Sequence, residues 1–206
     1  MSVDWNDLLV SYLHDPPDKA LDIRTHESRA VTYLKSALSR EISHSELHGL
    51  DDQLAAIAER LPMPTAGDRG ERGVSPGEGR ISVRHPISGR ELDLEGCELA
   101  VEETAGALAD LAEGIDDARV RFLTFWRLLL ERLADLRPWY ARVPADTRLP
   151  DHTIWNHMDT TAGMRAAGGG AHGRAFLSLF LGPVQEFIKS ARSVRDYGRA
   201  APSFPG

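Results

Sequence analysis

From Val3 to Asp15 the apolar residues fall at Trp5, Leu8, Leu9, Tyr12 and Leu13, the i, i+3, i+4, i+7, i+8 stripe of an amphipathic helix that Pro16-Pro17 must end. Thr25 is a good N-cap for a second helix carrying Val31, Leu34, Leu38 and Ile42 on one side. Ser43-His44-Ser45-Glu46 has capping-box spacing and opens a third, with Leu47, Leu50, Leu54, Ile57 and Leu61 at helical intervals. Ile81-Ser82-Val83 and Leu92-Asp93-Leu94 alternate apolar and polar around the turn-like HPISG, which predicts a small β hairpin. Helices resume at Glu98 to Glu113 and Asp116 to Leu136, the latter read as a core spine through Val120, Leu123, Trp126, Leu130 and Leu133. Pro138 to Pro150 is irregular, after which Asp151 or Thr153 caps a helix with Ile154, His157, Met158 and Thr161 along one face.

Breaks in this pattern suggest a domain plan. Pro62 to Arg80 holds five Gly and three Pro with almost no large apolar residue, too little burial to offset its ordering entropy, and is expected to be a flexible loop. Ala166 to Gly173 contains four Gly and reads as a hinge. Ala175 to Leu181 is an apolar run ending at Gly182-Pro183, and Val184, Phe187, Ile188, Ala191 and Val194 follow at helical spacing. One strand and one helix cannot bury their apolar faces alone, so this βα unit implies a missing remainder or a partner. The expected fold is mainly α: a helical domain over 1–165 with a small β hairpin and a flexible loop at 62–80, a Gly-rich hinge at 166–174, and a lone βα unit over 175–206.

Composition narrows the function classes. No run of about 18 uncharged apolar residues is present to span a bilayer, the N-terminus has no signal-peptide pattern, and Cys97 is the one cysteine, so a reducing cytoplasm is expected. A structural zinc site built on cysteines is excluded, and a metal must be held by His and carboxylates. With 24 Lys+Arg against 31 Asp+Glu, the net charge of −7 argues against broad affinity for duplex DNA but leaves room for a local basic groove.

Among chemistry-bearing residues, adjacent His14 and Asp15 offer one neutral nitrogen and one anionic oxygen to the same cation. The plainer alternative is that they merely terminate a helix before two prolines. His44 and His48 are four apart on a predicted helix, but Leu47 and Leu50 mark a neighbouring core face and no glutamate follows His44, so a structural role is preferred. His85 belongs to the hairpin turn, Cys97 reads as a small buried residue, and Asp151-His152 read as part of a helix cap.

Four strings carry a resemblance to a known family: LLVSYLHDPPDKALDIRTHESRA from Leu8 to Ala30, RHPISG from Arg84 to Gly89, PADTRLPDHTIWNHMDTTA from Pro144 to Ala162, and FLSLFLGPVQEFIKSARSVRD from Phe176 to Asp196. In this order they resemble the N-terminal region of the large subunit of type III CRISPR effector complexes, Cmr type. The resemblance implies a helical HD-type domain followed by the first βα unit of an incomplete ferredoxin-like palm, with Gly182 to Gln185 matching the palm's opening turn. It implies His14 and Asp15 as the HD pair, catalytic and metal-binding, with His26 and His157 as further metal ligands and Lys19 as a substrate-binding residue. The family's Gly-Gly-Asp-Asp synthase loop and four-cysteine zinc site are absent from this sequence, which is expected to be truncated before the cyclic oligoadenylate synthase site.

The function so implied is a metal-dependent single-stranded DNA nuclease in a type III CRISPR antiviral complex. It would use Mn, Ni, Co or Mg rather than structural zinc, because the donor set lacks thiolates, and its partners would be the other Cmr-type subunits and the guide RNA complex. Two alternatives stay open: a noncatalytic assembly module or relic of that subunit, and an HD phosphohydrolase of a small nucleotide, which needs a closed, deep pocket.

Overall fold

The computed structural model describes residues 3–47, 49–59 and 73–168. His48, most of the Gly/Pro segment from residue 60 to 72, the hinge beyond Gly168 and the βα unit at 175–206 lie outside the described residues. Among the described residues the chain is mainly α-helical with one small antiparallel sheet, as the periodicity predicts. Its elements are α1 (Trp5–Leu13), α2 (His26–Leu38), α3 (His44–Leu47), α4 (Leu50–Glu59), β1 (Val74–Gly77), β2 (Arg80–Arg84), β3 (Glu91–Glu95), α5 (Val101–Ala112), α6 (Ala118–Leu136) and α7 (Ile154–Ala166), with short 3-10 turns at Lys19–Leu21 and Pro138–Arg142.

Local chemistry explains most of the boundaries. Asp4 caps α1, its carboxylate accepting from the backbone N–H groups of Asn6 (3.0 Å) and Asp7 (3.1 Å), and Asp117 caps α6 by accepting from Val120 N–H (2.8 Å). Thr153, rather than Asp151, is the N-cap of α7. Thr25 sits at the N-cap position of α2 but its hydroxyl donates to Asp22 instead (2.8 Å). The Glu46 carboxylate reaches back to Ser43 N–H (2.9 Å), half of the expected capping box.

α1 packs against α2, α6 and α7, and α7 also packs against α4. The buried face of α1 is Leu8, Leu9, Val10, Tyr12 and Leu13, close to the predicted stripe, and α2 contributes Ala30, Tyr33, Leu34, Ala37 and Leu38. Two helical expectations are corrected. The long third helix is two pieces, α3 and α4, and Leu50 and Ile57 of its predicted stripe are 60% and 75% exposed. The core face of α6 is Phe122, Phe125, Leu129 and Leu133, while Val120, Leu123, Trp126 and Leu130 are exposed. α6 has apolar residues around most of its circumference, so two overlapping stripes satisfied the same period and packing against α1 and α5 selected the other.

The sheet has order β1-β2-β3 with both pairs antiparallel. Ile81 faces Leu94 and Val83 faces Leu92, the predicted hairpin; Ile81 and Leu94 bury on the helices. β1 corrects the expectation of a loop up to Arg80. Its backbone pairs with β2, Val74 buries, and Gly73 N–H and Val74 N–H donate to the carbonyls of Arg148 and Thr147 (3.2 and 3.0 Å). A strand that gains its stability from backbone pairing on two sides needs little apolar sequence of its own, which is why composition missed it. The turn into β2 uses Gly79 at φ +65°, a left-handed conformation that favours glycine. In the β2–β3 turn the His85 Nδ1 accepts from Ile87 and Ser88 N–H (3.2 and 3.1 Å), and Cys97 is buried with its thiol donating to the Leu94 carbonyl. No described helix is long and apolar enough to cross a membrane.

Candidate metal centre

Three helix ends converge on one point. α1 ends with His14 as its C-cap, so His14 and Asp15 sit at the helix terminus where Pro16-Pro17 turn the chain away. The turn is then locked from below. Asp18, fully buried, accepts from Arg29 Nε (2.9 Å) and Tyr33 Oη–H (2.5 Å) of α2, and Lys19 N–H closes a short turn on the Pro16 carbonyl (2.9 Å). α4 supplies Asp52 from its first turn and α7 supplies His157. Arg165, near the end of α7, clamps all three helices by donating to Asp7 of α1 (2.6 and 2.8 Å) and Asp51 of α4 (3.1 Å).

The four side chains point their donor atoms at one another. His14 Nε2 lies 3.6 Å from Asp15 Oδ2 and 3.5 Å from Asp52 Oδ1, and His157 Nε2 lies 3.3 Å and 3.2 Å from the same two oxygens. Metal bonds of about 2.1 Å place neighbouring ligand atoms roughly 3.0 to 3.4 Å apart in octahedral or tetrahedral shells, so this spacing fits one cation. His14, Asp15 and His157 are buried, whereas the Asp52 side chain is 46% exposed and opens the cluster to solvent.

The ring orientations fit a metal as well. The Ser11 carbonyl can only accept, so His14 Nδ1 at 2.8 Å donates to it and Nε2 keeps its lone pair. That Nε2 is buried without a hydrogen-bond partner, an arrangement that costs free energy unless something electropositive meets it. Two imidazoles and two carboxylates without thiolate suit Mn, Ni, Co or Mg, and zinc in an open site.

Charge in the cluster is strongly coupled. Burial works against ionisation of Asp15, but hydrogen bonding from His157 and the charges of His14 and Lys19 hold its carboxyl well below the usual range. His14 and His157, whose Nε2 atoms stand 3.5 and 3.2 Å from Asp52 Oδ1, do the same for Asp52. Burial alone lowers the His157 pKa, yet the carboxylates of Asp15, Asp52 and Glu59 outweigh it and raise the ring to about 11. Three carboxylates around one imidazole thus form a site waiting for positive charge, filled by protons when no ion is bound.

His14, Asp15 and His157 therefore meet in one cluster. His26 stands at its margin, its Nε2 3.8 Å from Asp15 Oδ1 and its Nδ1 on the Ile23 carbonyl (2.5 Å). Lys19 Nζ pairs directly with Asp15 Oδ2. The expectation that Asp151 and His152 serve as a helix cap is corrected: His152 Nε2 lies 3.3 Å from Glu59 Oε2 and its Nδ1 2.6 Å from Asp151 Oδ1. A bridge between Pro144 and Thr153, with Ala145 N–H on the His152 carbonyl (3.1 Å), fixes His152 there, beside an open cleft of about 550 Å³ that Glu59 and Arg142 also line. Sequence reasoning missed Asp52 and Glu59. Asp51-Asp52 looks like the ordinary acidic first turn of a helix, and Glu59 like its polar end.

No family model and no solved structure matches the chain. Among curated proteins it is 26% identical, over 246 aligned positions, to the protein named CRISPR system Cmr subunit Cmr2 of Pyrococcus furiosus. The similarity takes in 94% of this chain, which spans 28% of the length of that relative. The similarity runs nearly end to end along this chain, which is therefore similar to one region of that Cmr2 subunit.

Proposed function

We propose that the His14–Asp15–Asp52–His157 cluster holds a divalent cation and that the chain is the metal-dependent single-stranded DNA nuclease module of a type III CRISPR interference complex, working in the cytoplasm with other Cmr-type subunits and the guide RNA. The observation that carries this reading is the convergence of four ligand atoms from three helices, one of them the unpartnered buried Nε2 of His14. The name of the Pyrococcus furiosus relative supports the setting.

Held by His14, Asp15, Asp52 and His157, a cation would supply Lewis-acid chemistry, which polarises a phosphodiester oxygen and makes a water a better nucleophile at neutral pH. The protein's own residues prepare the rest. The exposed side of the cluster, at Asp52, is where a strand of nucleic acid approaches. Lys19 pairs with Asp15, and its side chain, 18% exposed, would be free to meet a phosphate if an ion were held by that carboxylate. His26 stands next to the same carboxylate with Nε2 available to move a proton.

Two observations weigh against the alternatives. His14 and Asp15 share one environment instead of pointing into separate ones, as a pure scaffold would allow. The cluster opens at a half-exposed aspartate and not inside a deep closed pocket, which suits a polymer better than a small nucleotide. Cleavage of labelled single-stranded DNA with Mn²⁺ tests the reading: the wild-type chain cuts, EDTA stops it, and His14→Ala/Asp15→Ala is inactive with helical circular dichroism retained. Undiminished cutting by the double variant rejects the assignment.

A further inference from the structure

We propose that Glu59 is a positioning residue of the metal centre that acts through His157, and that His152 and Asp151 hold Glu59 in place; the proposal rests on the reading of the cluster as a cation site. His157 Nδ1 lies 2.9 Å from Glu59 Oε2. An ionised carboxylate only accepts, so the Nδ1 proton stays on the ring and Nε2 is left as the ligand atom, facing Asp15 and Asp52. His14 is oriented by the same logic through the Ser11 carbonyl. Both imidazoles thus have their orientation fixed from behind, with Nε2 the atom turned toward the cluster.

The placement of Glu59 follows from α4. Asp52 and Glu59 are seven residues apart, two helical turns, and so share one face. His157 reaches α4 from α7 and lies between them, with Nε2 on Asp52 at one end and Nδ1 on Glu59 at the other. One helix therefore supplies a ligand and, two turns on, the group that aims a second ligand. Glu59 is itself constrained: His152 Nε2 stands 3.3 Å from the same Oε2, and His152 Nδ1 is 2.6 Å from Asp151 Oδ1. The side chains of Glu59, His152 and Asp151 are 10%, 14% and 2% exposed, so the row is largely buried where it borders the open cleft.

A rival arrangement uses the same atoms. Glu59, His152 and His157 also lie close enough to hold an ion of their own, and Glu59 Oε1 is buried without a hydrogen-bond partner. A neutral imidazole has one lone pair, however, and that of His157 is committed on the Asp15 side, which leaves two protein ligands for a second ion.

The test measures Mn²⁺ binding to the full chain by calorimetry, with ¹H–¹⁵N spectra of the histidine rings in the metal-free and Zn²⁺-loaded protein, for wild type, Glu59→Ala, Glu59→Gln and His152→Ala. Wild type is expected to bind one ion, Glu59→Ala to bind the same single ion about 10- to 100-fold more weakly, and Glu59→Gln, whose amide oxygen still accepts, to recover most of the loss. The His157 Nδ1–H signal should be visible in wild type and Glu59→Gln and vanish in Glu59→Ala. If Glu59→Ala fails to fold, Glu59→Gln and His152→Ala carry the comparison, with His152→Ala weaker than wild type and Glu59→Gln retaining the ring signal. Unchanged affinity in Glu59→Ala overturns the proposal, as does a wild type with two ions of which Glu59→Ala loses one and keeps the other at full strength. A wild type that binds no ion overturns the metal-centre reading itself, before any variant is compared.

Discussion

Arg165 of α7 grips Asp7 of α1 with two donors, Nε on Oδ2 at 2.6 Å and Nη2 on Oδ1 at 2.8 Å, across 158 residues of sequence. Its remaining terminal nitrogen reaches the buried Asp51, next to the ligand Asp52. A planar fork is suited to this because its donors are fixed relative to one another, so the angle between α1 and α7 is set together with the start of α4. Arg165→Met, which keeps the aliphatic stem, is expected to lower stability by about 1 to 3 kcal/mol, the range for hydrogen bonds to charged groups. Urea titration measures this, and the same variant should bind Mn²⁺ more weakly because the three helices that carry ligands are no longer tied. Wild-type stability together with wild-type affinity would show that the clamp has no such role.

The Asp18 lock beneath the His14-Asp15 turn makes a sharper prediction. Arg29 is 4% exposed and its guanidinium is balanced by Asp18, which is fully buried and also accepts from Tyr33. Asp18→Ala strands a buried cation and a buried phenol, a loss of about 3 to 5 kcal/mol. The thermal midpoint should fall by many degrees. A shift of one degree or less would mean that the turn is held some other way.

Ion binding should tighten with pH, and the sign follows from His157. The carboxylates of the cluster are ionised at neutral pH, so they bring no proton dependence there, whereas His157 is lifted to about 11 and carries an Nε2 proton that an ion must displace. Each ion bound releases one proton, so between pH 6.5 and 8.5 the association constant should rise by about tenfold per unit. Calorimetry at several pH values in buffers of different ionisation heat reads both affinity and proton release. Affinity that is flat over this window, with no proton released, would contradict the account in which an ion displaces a proton from His157.

On α6, Leu133 is fully buried while Leu130 is 39% exposed. Leu133→Ala is expected to cost about 2 to 5 kcal/mol and Leu130→Ala roughly 0.5 kcal/mol or less. Comparable losses in denaturant midpoint would place the core on the other stripe.

That pair of leucines also marks where the sequence stops being legible. α1 and α2 were readable because each has a single apolar stripe and a polar back. α6 was not, because Phe122, Leu123, Phe125, Trp126, Leu129 and Leu130 satisfy helical period on two faces, and tertiary packing alone chooses between them. β1 was hidden in a Gly/Pro-rich stretch since backbone pairing, which leaves little trace in composition, is what holds it. In the metal centre, His14-Asp15 and His157 stand in recognisable strings, but Asp52 and Glu59 sit in an ordinary acidic amphipathic helix. Their role exists only once α4 is laid against α7, an arrangement between residues about a hundred positions apart.

Anomalous diffraction at the manganese edge, from crystals of this chain grown with Mn²⁺, examines the proposed centre most directly. One peak is predicted, roughly 2 Å from His14 Nε2, His157 Nε2 and one oxygen each of Asp15 and Asp52, with Lys19 Nζ displaced from Asp15. A crystal with no peak among these four side chains, or with its manganese held elsewhere while Lys19 still sits on Asp15, would contradict it.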